Sequence, residues 1–289
     1  MPQSNLSPPA RAFLLAASLV GLAASPRHGA HHHHHHRPPP AKAAAKAPAP
    51  ASAAPAPLTG RTELVWLGHA AFQVRSPAGA LLLIDPWLDN SQAPRRYTPP
   101  EALDAIVLTH GHPHHLGSTA QIAAKTGARV IAVSELLAQL DVPATQKVAA
   151  NVGGEVVVRD VTIALTEALH GNVVDIGGED HYAGAAVGLV LSIARGPVIY
   201  HAGDTEVFAG MAEIARRYHP QVALLPIGGR FTMGPAGAAR AAALLGVATV
   251  VPMHYGSLPA LTGTPAELRT RLGKTAQLKV LVAGDVFTL

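Results

Sequence analysis

From Arg61 onward the chain breaks into short apolar runs separated by turn residues, and in its middle and C-terminal portions these runs alternate with helix-like stretches. Short apolar runs bounded by turn residues read as buried strands, and strands interleaved with helices define an α/β architecture. Strands are predicted at 63–67, 71–75, 81–84, 105–108, 130–133, 155–158, 161–165, 187–193, 198–201, 222–225, 249–251, 278–282 and 286–289. Helices are predicted at 118–126, 134–140, 207–217, 237–245 and 265–272. A hairpin-rich first half followed by strand–helix units suggests two sheets packed face to face with helices outside.

Residues 1–60 have a different composition. Residues 12–24 form an apolar run preceded by Arg11 and closed by small residues, which reads as a secretory signal over residues 1–25, removed near Ala24–Pro26. The run is too short to span a hydrocarbon core, which needs ~20 helical residues. This reading places the mature chain in the periplasm or outside the cell, without a transmembrane anchor. An Ala-rich N-terminal helix of a cytoplasmic protein is the alternative. Residues 26–60 then form a linker: a six-histidine run, His31–His36, followed by a stretch rich in Ala, Pro and Lys. Such a composition builds no core and is expected to be disordered, and the histidines fit either a purification tag or a native metal-gathering tract.

Charge narrows the function classes. The formal net charge is +4, but residues 1–60 carry five cations and no acid, leaving 17 cations against 18 acids in residues 61–289. A near-neutral domain has no polyphosphate footprint, so a small-molecule partner is expected in place of nucleic acid. The chain has no cysteine, which excludes thiolate metal sites, cysteine nucleophiles and disulfides. Metal chemistry here must use histidine and carboxylate.

Those groups are concentrated after the predicted strand ending at Leu108, in Thr109-His110-Gly111-His112-Pro113-His114-His115. Four histidines in six positions at the end of a buried strand are hard to explain by packing. Neutral imidazole suits Zn2+ and neighbouring transition metals, and Gly111 lets the backbone bend between His110 and His112 without a side chain in the way. Further candidates close other apolar runs: His170 before Gly171, Asp204 in His201-Ala202-Gly203-Asp204, and His254 in Pro252-Met253-His254. Together they converge on one sheet edge as a candidate metal site.

Eight ordered segments now carry a family resemblance: Leu67-Gly68-His69-Ala70, Ile84-Asp85-Pro86, Thr109-His110-Gly111-His112, Leu169-His170-Gly171, His201-Ala202-Gly203-Asp204-Thr205, Leu225-Pro226-Ile227-Gly228-Gly229, Phe231-Thr232-Met233-Gly234-Pro235 and Pro252-Met253-His254-Tyr255. From Glu63 to Leu289 the chain resembles the metallo-β-lactamase superfamily, in its branch of small metal-dependent hydrolases related to the ascorbate-6-phosphate lactonases. The resemblance implies a four-layer αβ/βα sandwich holding one or two divalent ions, with Zn2+ preferred and Mn2+, Fe2+ or Ni2+ as alternatives. It makes His110, His112 and His170 ligands of the first ion and Asp204 the bridge, with His115 and His254 on the second. Asp85 would orient a ligand imidazole, or else cap the turn before Pro86. His201 would support Asp204. His181 would contact substrate. His69 would line the floor of the site or serve as a hydrogen-bonded structural histidine, and His219 reads as a loop residue.

One position departs from the family pattern His-x-His-x-Asp-His: His114 stands where the aspartate is expected. That aspartate helps hold the second ion and accepts a hydrogen bond from the attacking hydroxide, so His114 is a candidate ligand and, with Asp204, a candidate catalytic residue. Imidazole supplies no negative charge, and a weaker second ion is therefore expected. The expected activity is hydrolysis of an ester, lactone, amide or phosphodiester by metal-bound hydroxide. The rival from another class is a non-catalytic periplasmic protein that buffers zinc.

Overall fold

The computed structural model describes residues 60–289. The expected leader at 1–25 and the histidine-rich linker, apart from Gly60, lie outside the described residues. In chain order the first half runs β1 (Glu63–Trp66), β2 (Phe72–Arg75), β3 (Leu81–Ile84), β4 (Ala105–Val107), α1 (Pro113–Leu116), α2 (Thr119–Thr126), β5 (Arg129–Ala132), α3 (Ser134–Gln139) and β6 (Lys147–Ala149). The second half runs β7 (Glu155–Val158), β8 (Val161–Glu167), β9 (Val173–Ile176), β10 (Glu179–Tyr182), β11 (Val187–Ile193), β12 (Val198–His201), α4 (Met211–Tyr218), β13 (Val222–Pro226), α5 (Pro235–Leu245), β14 (Thr249–Met253), α6 (Pro265–Leu272), β15 (Gln277–Leu278) and β16 (Val286–Thr288).

These strands form two seven-stranded sheets, ordered β16-β1-β2-β3-β4-β5-β6 and β15-β14-β13-β12-β11-β8-β7, with β9 and β10 as a separate hairpin. Side-chain alternation explains why the second sheet is buried on both faces. Leu189 and Leu191 of β11, Ile199 of β12, Leu224 of β13 and Val251 of β14 join Leu64, Phe72 and Ile106 of the first sheet in one core. Their neighbours Val190, Tyr200, Ala223, Leu225 and Val250 point the other way, into a second core with Met211 and Ile214 of α4, Ala238 and Ala242 of α5 and Leu268 of α6. With a period of two, strands can serve both layers only if nearly every residue is apolar. No helix among the described residues is long and apolar enough to cross a membrane.

Strand direction positions the site. In the first sheet β1 pairs antiparallel with β2, β2 antiparallel with β3, and β3 parallel with β4, so β1, β3 and β4 run the same way. In the second sheet β8 and β12 both pair antiparallel with β11, and β12, β13 and β14 are mutually parallel. His69, Asp85, His110, His170, Asp204 and His254 each follow the C-terminal end of one of these co-directional strands, the edge at which α/β sheets place their ligands.

Three differences from the sequence reading have physical causes. The strand expected at 278–282 stops at Leu278, leaving Val280 and Val282 exposed. Lys279 N–H still donates to Val250 O, but the next bond of the parallel ladder would need an N–H from Pro252, which has none. The β9–β10 hairpin went unpredicted because Asp175, Glu179 and Asp180 interrupt its apolar pattern. Its two-residue turn, Gly177-Gly178 with both φ angles positive, is the local mark that identifies it. The edge strand β6 is too short and too exposed to stand out.

Candidate metal centre

Thr109, just beyond β4, joins the two sheets: its carbonyl accepts from Val187 N–H at 3.0 Å. The chain then enters α1, with Pro113 at its first turn and His112 at its N-cap. Gly111 N–H donates to Asn172 Oδ1 at 2.7 Å, and a Cβ at this position would lie 2.6 Å from Val174 Cγ2. Only glycine lets the loop pass this close to β9.

This loop and His170, which follows β8, bring three nitrogens together. His110 Nε2 lies 3.0 Å from His112 Nδ1, and His170 Nε2 lies 3.3 Å from the same atom. Burial is the main cause that lowers all three imidazoles, His110 well below its ordinary value and His112 to about 4. Neutral rings facing each other at these distances are the donor set of a borderline cation.

Asp204 Oδ2 is the hub of the rest. It lies 2.9 Å from His254 Nε2, 3.3 Å from His115 Nε2, 3.7 Å from His170 Nε2 and 4.0 Å from His110 Nε2. Burial would raise this carboxyl, but His115 and His254 outweigh burial and hold it well below the usual range. On the far side of His115, buried Asp85 accepts from His115 Nδ1 at 2.7 Å, from Thr109 N–H at 2.8 Å and from Thr109 Oγ1 at 2.6 Å. Burial would lower His115, but Asp204 and Asp85 together push it up to about 10.

These residues fit a metal. His110, His112 and His170 form one group of mutually close donors, and His110, His115 and Asp204 form another. Asp204 Oδ1 and His115 Nε2 are buried without a hydrogen-bond partner, a costly state that a cation relieves.

The remaining predicted residues are placed as follows. His201 is buried, donates from Nε2 to Ala70 O at 3.0 Å and accepts at Nδ1 from Gly203 N–H at 3.1 Å, so it reaches Asp204 through the backbone alone. His181 lies half-buried on β10 opposite Val174 and belongs to none of the donor groups. His219 caps α4 with a left-handed backbone. His114, expected as a ligand, also lies outside every donor group. Neighbouring helical positions diverge by about 100°, so turning His115 inward leaves His114 half-buried with its ring 4.9 Å from that of Trp87. His69, for which the sequence allows two roles, forms a third donor group with His115 and His254.

A buried carboxylate ringed by imidazoles, at the shared edge of two packed sheets, defines a metallohydrolase centre. The profile of the β-lactamase superfamily domain matches residues 81–255. The chain is 54% identical over 221 residues to a UPF0173 metal-dependent hydrolase of Myxococcus xanthus, covering 76% of this chain and 79% of the relative. It is 40% identical to a UPF0173 metal-dependent hydrolase of Rubrobacter xylanophilus, covering 79% and 97%. Among solved structures, Igni18, a metallo hydrolase from Ignicoccus hospitalis, superposes with a TM-score of 0.70 at 32% identity, covering 80% of this chain and 99% of that one. The chain belongs to the β-lactamase superfamily, as one of its metal-dependent hydrolases.

Proposed function

We propose that this enzyme hydrolyses a small, uncharged ester, lactone or amide at a centre of two divalent ions, with Zn2+ as the preferred metal. The observation that carries the substrate class is the cavity over the donors. It holds about 240 Å3 and is lined by Pro113, Phe231 and Leu258 together with His112, His114, His170, Asp204 and His254. The lining contains no lysine or arginine, so a phosphodiester would enter without a cationic clamp. A larger groove of about 720 Å3 beside α5 and α6 includes none of the donors.

His110, His112 and His170 would hold one ion, with Asp204 between it and a second held by His115 and His254. When bound, such ions acidify a water molecule towards a pKa of ~7 and polarise the scissile oxygen. The protein's own residues do the rest. Asp204 stays ionised and offsets the ions' charge, while Asp85 keeps His115 in one orientation. Phe231 and Leu258, which line the cavity, would limit the access of bulk water to the reacting bond, and His114 in the same wall would offer a hydrogen-bonding edge. Histidine-dominated donors favour Zn2+ or neighbouring transition metals over Mg2+ or Ca2+. The apolar run at 12–24 supports export before activity, and an intact N-terminus on natively expressed cytoplasmic protein would overturn that part.

The test is a hydrolysis panel on zinc-loaded enzyme, comparing neutral aryl esters, lactones and anilides with a phosphodiester of equal leaving group. The neutral substrates are expected to give the higher kcat/KM. A faster phosphodiester would overturn the assignment.

A further inference from the structure

We infer that His69 is a ligand of the second ion, occupying the role that the residue at position 114 has lost. This rests on the two-ion reading above and concerns which of the chain's own residues complete the second position.

Four observations carry it. First, a ring nitrogen each of His69, His115 and His254 lie within 4.8 Å of one another, and all three residues are buried. His114 belongs to no such group. Second, the His69 Nε2 atom is buried with no hydrogen-bond partner, whereas its Nδ1 lies 2.6 Å from Ser257 Oγ. With Nδ1 donating to the serine, the Nε2 lone pair is left free, the arrangement in which ligating histidines are held by their far nitrogen. The opposite tautomer would bury an N–H with no acceptor.

Third, His201 shows what a structural histidine looks like in this protein. Both of its nitrogens are satisfied by backbone groups, at 3.0 and 3.1 Å. His69 is equally buried, yet only one of its nitrogens is satisfied.

Fourth, the backbone is held so as to aim this ring. His69 and His254 both adopt left-handed conformations, with φ of 51° and 54°, which are unfavourable for such residues and persist where surrounding structure imposes them. The His69 carbonyl accepts from His254 N–H at 2.9 Å and from Trp66 Nε1 at 3.0 Å. That bond between two left-handed residues brings their rings to 4.0 Å between centroids. The anchors come from β1, from the loop carrying Ser257 and from Gln92, whose Oε1 accepts from His69 N–H at 3.2 Å.

The chain thereby retains a second donor set of three imidazoles beside Asp204, although position 114 offers no carboxylate. The test is a zinc titration of the full chain labelled with nitrogen-15 histidine, following the ring nitrogens by NMR and assigning them with His69→Gln, His114→Gln, His115→Gln and His254→Gln. The expected result is that His69 Nε2 shifts together with His115 and His254 as the second position fills, while His114 does not. A response from His115 and His254 without one from His69 would overturn the inference and leave the two-ion reading intact. No response from His115 and His254 would overturn both. In parallel, in equilibrium dialysis at a fixed free-zinc concentration that fills the second position of the wild type, His69→Ala is expected to hold one fewer zinc than the wild type, and His114→Ala the same number. His31–His36 are common to all variants and cancel in the difference. Equal zinc content in wild type and His69→Ala would overturn the inference, as would a loss confined to His114→Ala.

Discussion

Oδ2 of Asp85 accepts hydrogen bonds from both Nδ1 of His115, at 2.7 Å, and Oγ1 of Thr109, at 2.6 Å. One buried carboxylate therefore fixes a ring on α1 and the residue that leads into His110. Asp85→Asn keeps the shape, and asparagine tolerates the left-handed backbone seen here at φ 45°. It removes the charge that holds Nδ1 as a donor. Zinc affinity is expected to fall by about 10- to 100-fold with the fold retained, as measured by chelator competition and circular dichroism. Unchanged affinity would show that His115 is oriented by packing alone.

His110→Ala and His170→Ala each delete a nitrogen from the first donor group. Both variants are expected to lose most bound metal and essentially all hydrolysis while the two sheets remain folded. Elemental analysis and the ester panel check this, and full activity in either variant would sink the site assignment.

Chelation is expected to destabilise the protein, since a ligand bound only to the native state adds RT ln(1 + [L]/Kd), about 4 kcal/mol at a thousandfold excess over Kd. Calorimetry of zinc-loaded and chelated protein at several free-zinc concentrations reads the effect. A midpoint that does not move with zinc would mean that the centre holds no ion in the native state.

Phe231 stands over the donors with 54% of its surface exposed, and it forms an apolar wall of the cavity. Phe231→Ala is expected to raise KM for a neutral aryl ester about tenfold, the loss of ~1.4 kcal/mol of binding, with kcat changed much less. A drop confined to kcat would instead place this ring in the chemical step.

Gly117 ends α1 with φ 45°, and a Cβ there would lie 2.2 Å from the carbonyl oxygen of Pro86. Gly117→Ala must displace either α1 or the segment after Asp85. The expected cost is about 1–3 kcal/mol in denaturant unfolding, accompanied by weaker zinc binding, because α1 carries His115 and the other segment follows Asp85, which bonds that ring. A variant as stable as the wild type would show that α1 shifts freely.

Elements whose alternation or apolar run is continuous were legible from residues alone. Strands 81–84, 155–158, 187–193 and 198–201 and helix 265–272 fall where the pattern places them. Helix α6 even carries its start signal, with Thr264 and Glu267 capping each other's backbone amides. Polar strands were not legible: Glu179–Tyr182 owes its strand conformation to a glycine turn and a partner, not to burial. The ring of donors was visible because His110, His170, Asp204 and His254 each follow an apolar run, and His112 and His115 lie within five residues of His110. The separate places of His114 and His69 were not, because they depend on the phase of a four-residue helix and on a carbonyl bond between residues 69 and 254.

His69, Asp85, His110, His112 and His115 come from the first sheet's loops, whereas His170, Asp204 and His254 come from the second's. On the proposed assignment, neither sheet's loops alone supply the donors of either ion. Ion affinity is then a gauge of how the sheets are docked, and substitutions in the shared core outside the donor set, at Ile106 or Leu189 for instance, are expected to be felt first as metal leakage. The protein would become inactive while still folded, and excess zinc would mask the damage by holding the seam closed.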